Sequence, residues 1–348
     1  MLRVNLFGEN KHCFSNIFTD FIYTDTDCDL DVFVTQAFHN EPCMLIDLKT
    51  DNLIIFNLDV CHSLRYDLFP AVDKFLRNTN IQCLVTTSHF LTEEIDERFD
   101  YLYYSQTTHD LNENIPTKDL PILFSRDVSY LRQRKYLTLN SVVKSHRTGL
   151  YEFLRDNNHL KDGWVSYNSQ ALQGCLPEGE HVILDNVDDV KEQQNRGMAD
   201  WNFGLYLSSY FSIVTETEFN YADGEDIPSV NFSEKTFKAM LGMHPFFILS
   251  QPKALWSLQQ LGFKTFSDYW SEDYDLVQDD DWRLQSCLES IGDFLNNNDM
   301  QKMHKILSGV DFDYSIGEIL NHNFKHFTNH TKIQTNLLRS KIHEFVDG

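Results

Sequence analysis

Tyr210-Phe211-Ser212-Ile213-Val214-Thr215-Glu216-Thr217-Glu218 is an apolar run that ends in acids. After a polar loop come Phe232-Ser233-Glu234-Lys235-Thr236-Phe237-Lys238, then His244-Pro245-Phe246-Phe247-Ile248-Leu249, then Leu261-Gly262-Phe263-Lys264-Thr265-Phe266. The pattern predicts a strand at Ser212–Thr215 and a helix at Glu234–Leu241, with Ser233 as its N-cap. It predicts a second strand at Pro245–Leu249 and a helix over Pro252–Leu261, carrying Leu255, Leu258 and Leu261 on one face. Gly262 reads as the helix stop, because a residue past a helix end often needs the left-handed conformation. Strand, acid, helix start and strand form the grammar of a nucleotide-binding α/β unit. An acid there can hold a ribose diol, and a lysine near a helix start can hold a diphosphate.

The same alternation extends upstream. Lys135–Leu139 reads as a strand, and Lys144–Asn157 as a helix with Leu150, Phe153 and Leu154 on one face. Gly163–Tyr167 reads as a strand. Leu172–Gln194 has mixed polarity, with Pro177 and Gly179 marking a turn, and Asn202–Tyr210 leads into the next strand. In the first third, apolar runs recur at Arg3–Phe7, Asp31–Val34, Asn52–Leu58, Ile81–Thr86 and Tyr101–Ser105, with helical segments expected at Ala71–Asn78 and Thr92–Phe99. Such β-branched and aromatic runs with polar ends suit parallel strands. Asn112–Pro121 is a polar connection with two prolines, and Ser125–Arg134 is a candidate crossing segment. Helices are expected at Trp282–Asn296, Asp299–Leu307, Ser315–Phe327 and Thr331–Phe345. The fold class is α/β with two Rossmann-like domains. The expected division is an N-terminal α/β domain over residues 1–134, a nucleotide-binding α/β domain over 135–281 and C-terminal helices over 282–348.

Bulk properties support this division. A chain of 348 residues exceeds the ~250–300 at which single cores stop growing. The 27 phenylalanines and 42% hydrophobic content supply two cores and argue against low-complexity disorder. No apolar run approaches ~18 residues, so no membrane span is expected. The first residues, Met1-Leu2-Arg3-Val4-Asn5-Leu6-Phe7, read as a strand and lack a long signal core. The expected location is the cytoplasm. The seven cysteines are dispersed, with no Cys-x-x-Cys pair, which suits free, mostly buried thiols. A formal charge of −23 repels nucleic-acid phosphates, so nonspecific nucleic-acid binding is disfavoured. Lys135, Lys144, His146, Arg147, Lys235 and Lys238 nevertheless make a basic island around the proposed motifs, which an anionic ligand would need. No Walker A loop, Gly-x-Gly-x-x-Gly or Gly-x-Ser-x-Gly motif occurs. Asp279-Asp280-Asp281 reads as a solvated helix start, and no metal site is expected.

The Glu216, Ser233-Glu234-Lys235 and Pro245–Leu249 pattern resembles the donor-binding half of fucosyltransferase-type glycosyltransferases with the GT-B fold. It is closer still to uncharacterised phage and bacterial glycosyltransferase-like proteins. Asn231 stands where that family has a tyrosine, and Ser250 where it has a glycine. A second match is Leu137-Thr138-Leu139-Asn140, followed by His146-Arg147, then Leu150 and Leu154. Together these stretches cover roughly a third of the chain. The resemblance implies two Rossmann-like domains facing across a cleft, residues 1–134 on the acceptor side. It implies an arginine, here Arg147, on the donor phosphate, and a guanidinium can grip phosphate oxygens in a bidentate fork. It implies a catalytic base close to a proline in the first domain; His39-Asn40-Glu41-Pro42 is the loose analogue, with Glu41 as the base. Asp59, His62 and His89 are alternatives at strand ends.

The donor-side candidates are therefore Arg147, Glu216, Glu234, Lys235 and Lys238. Glu234 would accept from ribose hydroxyls, and Lys235 would neutralise diphosphate. Glu216 would contact sugar or base, and Lys238 would be a second cation or an i,i+4 partner of Glu234. Each has an ordinary alternative, since a first-turn Glu is good helix chemistry and a surface Arg or Lys needs no ligand. The expected activity is a metal-independent, inverting transfer from a nucleotide sugar, which is a substrate, with no cofactor. The acceptor is a surface glycan or a modified nucleobase in phage DNA, the latter discouraged by the net charge. The competing class is a catalytically silent scaffold that binds another protein. Oligomeric state and donor identity stay open.

Overall fold

The computed structural model describes residues 2–8, 11–35, 48–57, 72–77, 79–92, 99–105, 107–108, 111–112, 131–140, 143–167, 203–220, 229–308 and 314–347. Glu41, Asp59, His62, the Leu172–Gln194 segment and most of the expected Thr92–Phe99 helix lie outside them. The chain divides into two compact units. One comprises Met1–His109, Tyr221–Asn231 and Asn329–Gly348, and the other Asp110–Asn220 and Phe232–Thr328. The expected boundary at 134–135 coincides with the start of a strand, whereas by contacts residues 110–134 group with the second unit.

The first unit opens with β1 (Arg3–Gly8), α1 (His12–Ile17), β2 (Ile22–Tyr23), β3 (Leu30–Thr35), β4 (Asn52–Asn57), β5 (Gln82–Thr87), β6 (His89–Leu91) and β7 (Asp100–Tyr103). Residues 72–76 are helical. Six strands form a parallel sheet in the order β2-β1-β3-β4-β5-β7. Side chains alternate between two buried faces. Val32, Val34, Ile54, Phe56 and Leu84 pack on one face with Phe14 and Phe18; Phe33, Leu53, Ile55 and Val85 pack on the other with Val72 and Leu76. Burial on both faces explains why these runs read as continuously apolar. Gly8 closes β1 at φ +98, where a Cβ would stand 2.2 Å from the Val34 carbonyl oxygen, so only glycine fits.

The chain continues through β8 (Arg134–Asn140), α2 (Ser145–Asp156), β9 (Gly163–Tyr167), α3 (Phe203–Leu207), β10 (Ser209–Thr215), β11 (Ser229–Asn231), α4 (Glu234–Leu241), β12 (Phe246–Leu249), α5 (Ala254–Gln260), α6 (Asp280–Asn297), α7 (Met300–Ser308) and α8 (Tyr314–Asp347). The second unit holds a four-stranded parallel sheet, β12-β10-β8-β9. β10 is buried along its whole length. Its Phe211 packs with Phe247, Trp270 and Phe294, and the Phe247 and Trp270 rings stack at 4.3 Å. In each unit the first strand is flanked by the second and the third, so the sheet grows outward in both directions from its first strand.

Two expectations need correction. The two predicted C-terminal helices are one, α8. Thr328-Asn329-His330 between them contains neither Gly nor Pro, so nothing there interrupts the backbone hydrogen bonds. The short strands β6 and β11 were not predicted; they pair antiparallel, Val230 opposite Phe90, and both lie in the first unit. No helix among the described residues is long and apolar enough to cross a membrane.

Candidate functional site

In the second unit the chain passes from β8 to β9 on one side, then returns to β10 on the other side of β8. The carboxyl ends of β8 and β10 therefore flank a topological switch point, the place where open α/β sheets gather ligands. Asn140 ends β8 and Thr215 ends β10. The Thr215 hydroxyl donates to the Asn140 side-chain oxygen across this point. The Asn140 backbone N–H donates to Ser166 Oγ at 3.0 Å, tying in β9.

α2 enters from β8 and is anchored by buried Leu150 and Leu154. Its first turn carries His146 and Arg147, each 2% exposed. Arg147 Nη2 donates to the carbonyl oxygens of Glu216 at 2.9 Å and Thr215 at 3.3 Å. Burial pushes the guanidinium pKa down, and the carboxylates of Glu216 and Glu234 oppose that shift. His146 Nε2 lies 3.1 Å from the Glu216 carbonyl oxygen and the ring stacks on Phe219 at 4.9 Å. Burial, with the Arg147 charge beside it, pushes His146 down to about 3. The imidazole is therefore neutral at physiological pH, and Nε2–H donates to the carbonyl. Lys144, just before the helix, donates to the Thr217 carbonyl.

Glu216 is fully buried. Its carboxylate accepts from Ser233 N–H at 3.2 and 3.1 Å, one distance to each oxygen, and from Thr217 N–H at 3.3 Å. The Thr236 hydroxyl donates to it as well. The side chain thus turns inward and holds the start of α4. Ser233 caps that helix by accepting from Lys235 N–H at 3.3 Å. Apolar Phe237, Met240 and Leu241 bury the helix against the sheet. Its polar edge carries Glu234, Lys235 and Lys238, all half-buried. Lys235 Nζ reaches Glu234 Oε1 at 3.1 Å and Ser233 Oγ at 3.2 Å. For Glu234, burial raises the carboxyl pKa, but the charges of Lys235 and Lys238 and the Lys235 hydrogen bond outweigh it. The net shift is downward, and the group is a carboxylate.

The structure thus brings Arg147, Glu216, Glu234, Lys235 and Lys238 to one end of one sheet. Glu41 lies outside the described residues, and His89 belongs to the first unit, 1% exposed on β6. Arg283 has no counterpart in the sequence reading. It is 2% exposed, donates to the carbonyls of Ser250 and Phe219 at 3.1 and 2.6 Å, and lies 4.4 Å over the Phe219 ring. It binds together the loops that follow β10 and β12. Its only sequence signal was an arginine in an otherwise acidic first helical turn. The chemistry of the site is a helix N-terminus with two lysines at its rim, backed by a buried guanidinium. Such a site suits an anion bearing hydroxyl groups. Among the described residues, no group of three or more His, Cys, Asp or Glu side chains is placed to hold a metal ion.

Comparison with models of known protein families, with curated proteins and with solved structures gave no match in any of the three.

Proposed function

We propose that this protein is a nucleotide-sugar-dependent glycosyltransferase of the GT-B type. The observation that carries the reading is the convergence of Arg147, Glu234 and Lys235 at the switch point of a parallel sheet, although Arg147 and Glu234 are 87 positions apart. In this reading Lys235, Lys238 and the N-terminus of α4 neutralise the donor diphosphate, and Glu234 accepts from the ribose hydroxyls. Glu216 is a positioning residue that fixes the start of α4. Arg147 contributes its charge from beneath and fixes the Thr215–Glu216 carbonyls. The acceptor hydroxyl oxygen bonds to the anomeric carbon as the bond from that carbon to the diphosphate oxygen breaks. Glu41 takes the hydroxyl proton, and the cationic helix start stabilises the leaving diphosphate without a metal. The acceptor is a surface glycan or a modified nucleobase, and the enzyme acts in the cytoplasm.

The test is a panel of nucleoside diphosphates and their sugars, read by thermal shift and by slow hydrolysis of the donor. A ligand at ~100 times its dissociation constant stabilises the fold by ~2.7 kcal/mol. Lys235→Ala should weaken binding by ~1.5–3 kcal/mol, about 10- to 150-fold, through loss of a charge-assisted contact. Glu41→Gln should lower turnover and leave donor affinity intact. Inhibition by a chelator, reversed by manganese, would overturn the metal-independent mechanism. A panel in which nothing binds would favour a silent scaffold that acts through another protein.

A further inference from the structure

The first unit contains a second polar assembly, at the carboxyl ends of β5 and β7. Thr86, Ser105, Thr107, Thr108 and Gln334 are each 5% exposed or less. Gln334 comes from α8. Its Oε1 accepts from Ser105 N–H at 3.3 Å and lies 3.4 Å from Thr108 Oγ1, whose hydroxyl donates to the Ser105 carbonyl oxygen at 2.8 Å. Thr108 N–H donates to Ser105 Oγ at 3.3 Å, closing a compact turn around the amide. Thr86 stands two residues beyond Leu84 on β5, so both face the same side of the sheet. Leu84 packs in one cluster with Tyr104 and with Leu338, one turn beyond Gln334 on α8. Thr86 and Gln334 are thus the next layer of the same interface, on the carboxyl side of the sheet.

Three polar atoms here find no hydrogen-bond partner among the described residues: Thr86 Oγ1 and Gln334 Nε2 of this layer, and Thr107 Oγ1 of the turn that Gln334 bonds. Leaving a buried polar group unpaired costs ~1–3 kcal/mol, and three of them would be a large fraction of a domain's stability. Buried polar groups are as a rule paired, with protein or with ordered water. All three groups here are neutral, so the layer has no charge with which to select an ion. They supply one obligate donor and two hydroxyls that can donate or accept. That set matches a water molecule, which takes about three bonds when buried.

We propose that Thr86, Thr107 and Gln334 form a closed hydration site that joins α8 to the carboxyl end of the first sheet through an internal water. The Gln334 amide donates to the water oxygen, and the water's two O–H groups donate to the threonine hydroxyls.

A crystal structure of the wild-type protein is the direct test. An ordered peak within hydrogen-bonding distance of all three atoms is expected. A dry site, or side chains turned to bond one another, overturns the proposal. Thr86→Val and Thr107→Val give an independent sign. Each keeps the shape and removes a hydroxyl. If that hydroxyl holds a water, each variant melts lower, by roughly 2–4 °C for a loss near ~1 kcal/mol. If the hydroxyl is an unpaired buried group, its removal raises the melting temperature, which again overturns the proposal. Neither result depends on Gln334→Leu, which disrupts the turn as well.

Discussion

Glu216→Gln tests the inward role of this carboxylate. The change keeps the volume and replaces one accepting oxygen by an NH2 group. Four hydrogen bonds from three donor groups on the β10 loop and α4 now converge on the two oxygens. Gln cannot accept all of them, and it removes a negative charge beside buried Arg147 and the first turn of α4. Losing a hydrogen bond to a charged group costs ~1.5–3 kcal/mol, and losing charge at a helix N-terminus ~0.3–2 kcal/mol. The expected destabilisation is therefore about 2–5 kcal/mol, within reach of the ~3–5 kcal/mol for breaking a buried charge pair. For a unit of about 200 residues that corresponds to a melting shift of roughly 4–20 °C. Urea denaturation with calorimetry measures it. Thr236→Val removes one of the same bonds and should cost less. A loss under ~1 kcal/mol in Glu216→Gln would refute the positioning role.

Other outcomes follow from the second unit. Burial pushes Glu272 up to about 7, opposed by the hydrogen bond from Phe266 N–H. An unfolded Glu titrates near 4.5, so between there and about pH 7 the folded state binds more protons, and this group's contribution to stability falls as pH rises. Glu272→Gln keeps the accepting oxygen and removes the charge. Its stability relative to wild type should be unchanged below about pH 4.5, rise through the interval and level off above about pH 7; a difference independent of pH would contradict the shift. Gly262 has φ +91 at the end of α5, and a Cβ there would stand 2.8 Å from the His326 ring. Gly262→Ala should cost about 1–2 kcal/mol from the left-handed conformation alone, read in the same denaturation series.

The strands and helices of the donor-side motif were legible because their signals are local. Ser233 caps α4 and Gly262 follows α5 in the left-handed region, as their residue types imply. Sequence also drew Arg147, Glu234 and Lys235 toward one strand end. It could not show which way Glu216 turns, because that depends on Ser233 and Thr236 arriving after a long loop. β6 and β11 escaped for a similar reason. Each has three residues, too few for a period to be visible, and their partners are about 140 positions apart. The grouping of residues 221–231 and 329–348 with the N-terminal unit is likewise a property of distant contacts.

The core of the first unit has a bearing on how the chain is made. Leu338 and Ile342 are fully buried against residues that begin at Leu2, and Arg339 pairs with Asp20 over the Phe18 and Phe21 rings. Translation proceeds at ~5–20 residues per second, so roughly 10–50 s separate synthesis of His109 from that of Ile342. During that interval α1 already sets Phe14 against Phe56, but Leu338 and Ile342 are missing from the cluster. One face of the nascent N-terminal sheet is thus only partly covered, an apolar surface of the kind that invites misassembly, until the C-terminal half of α8 emerges.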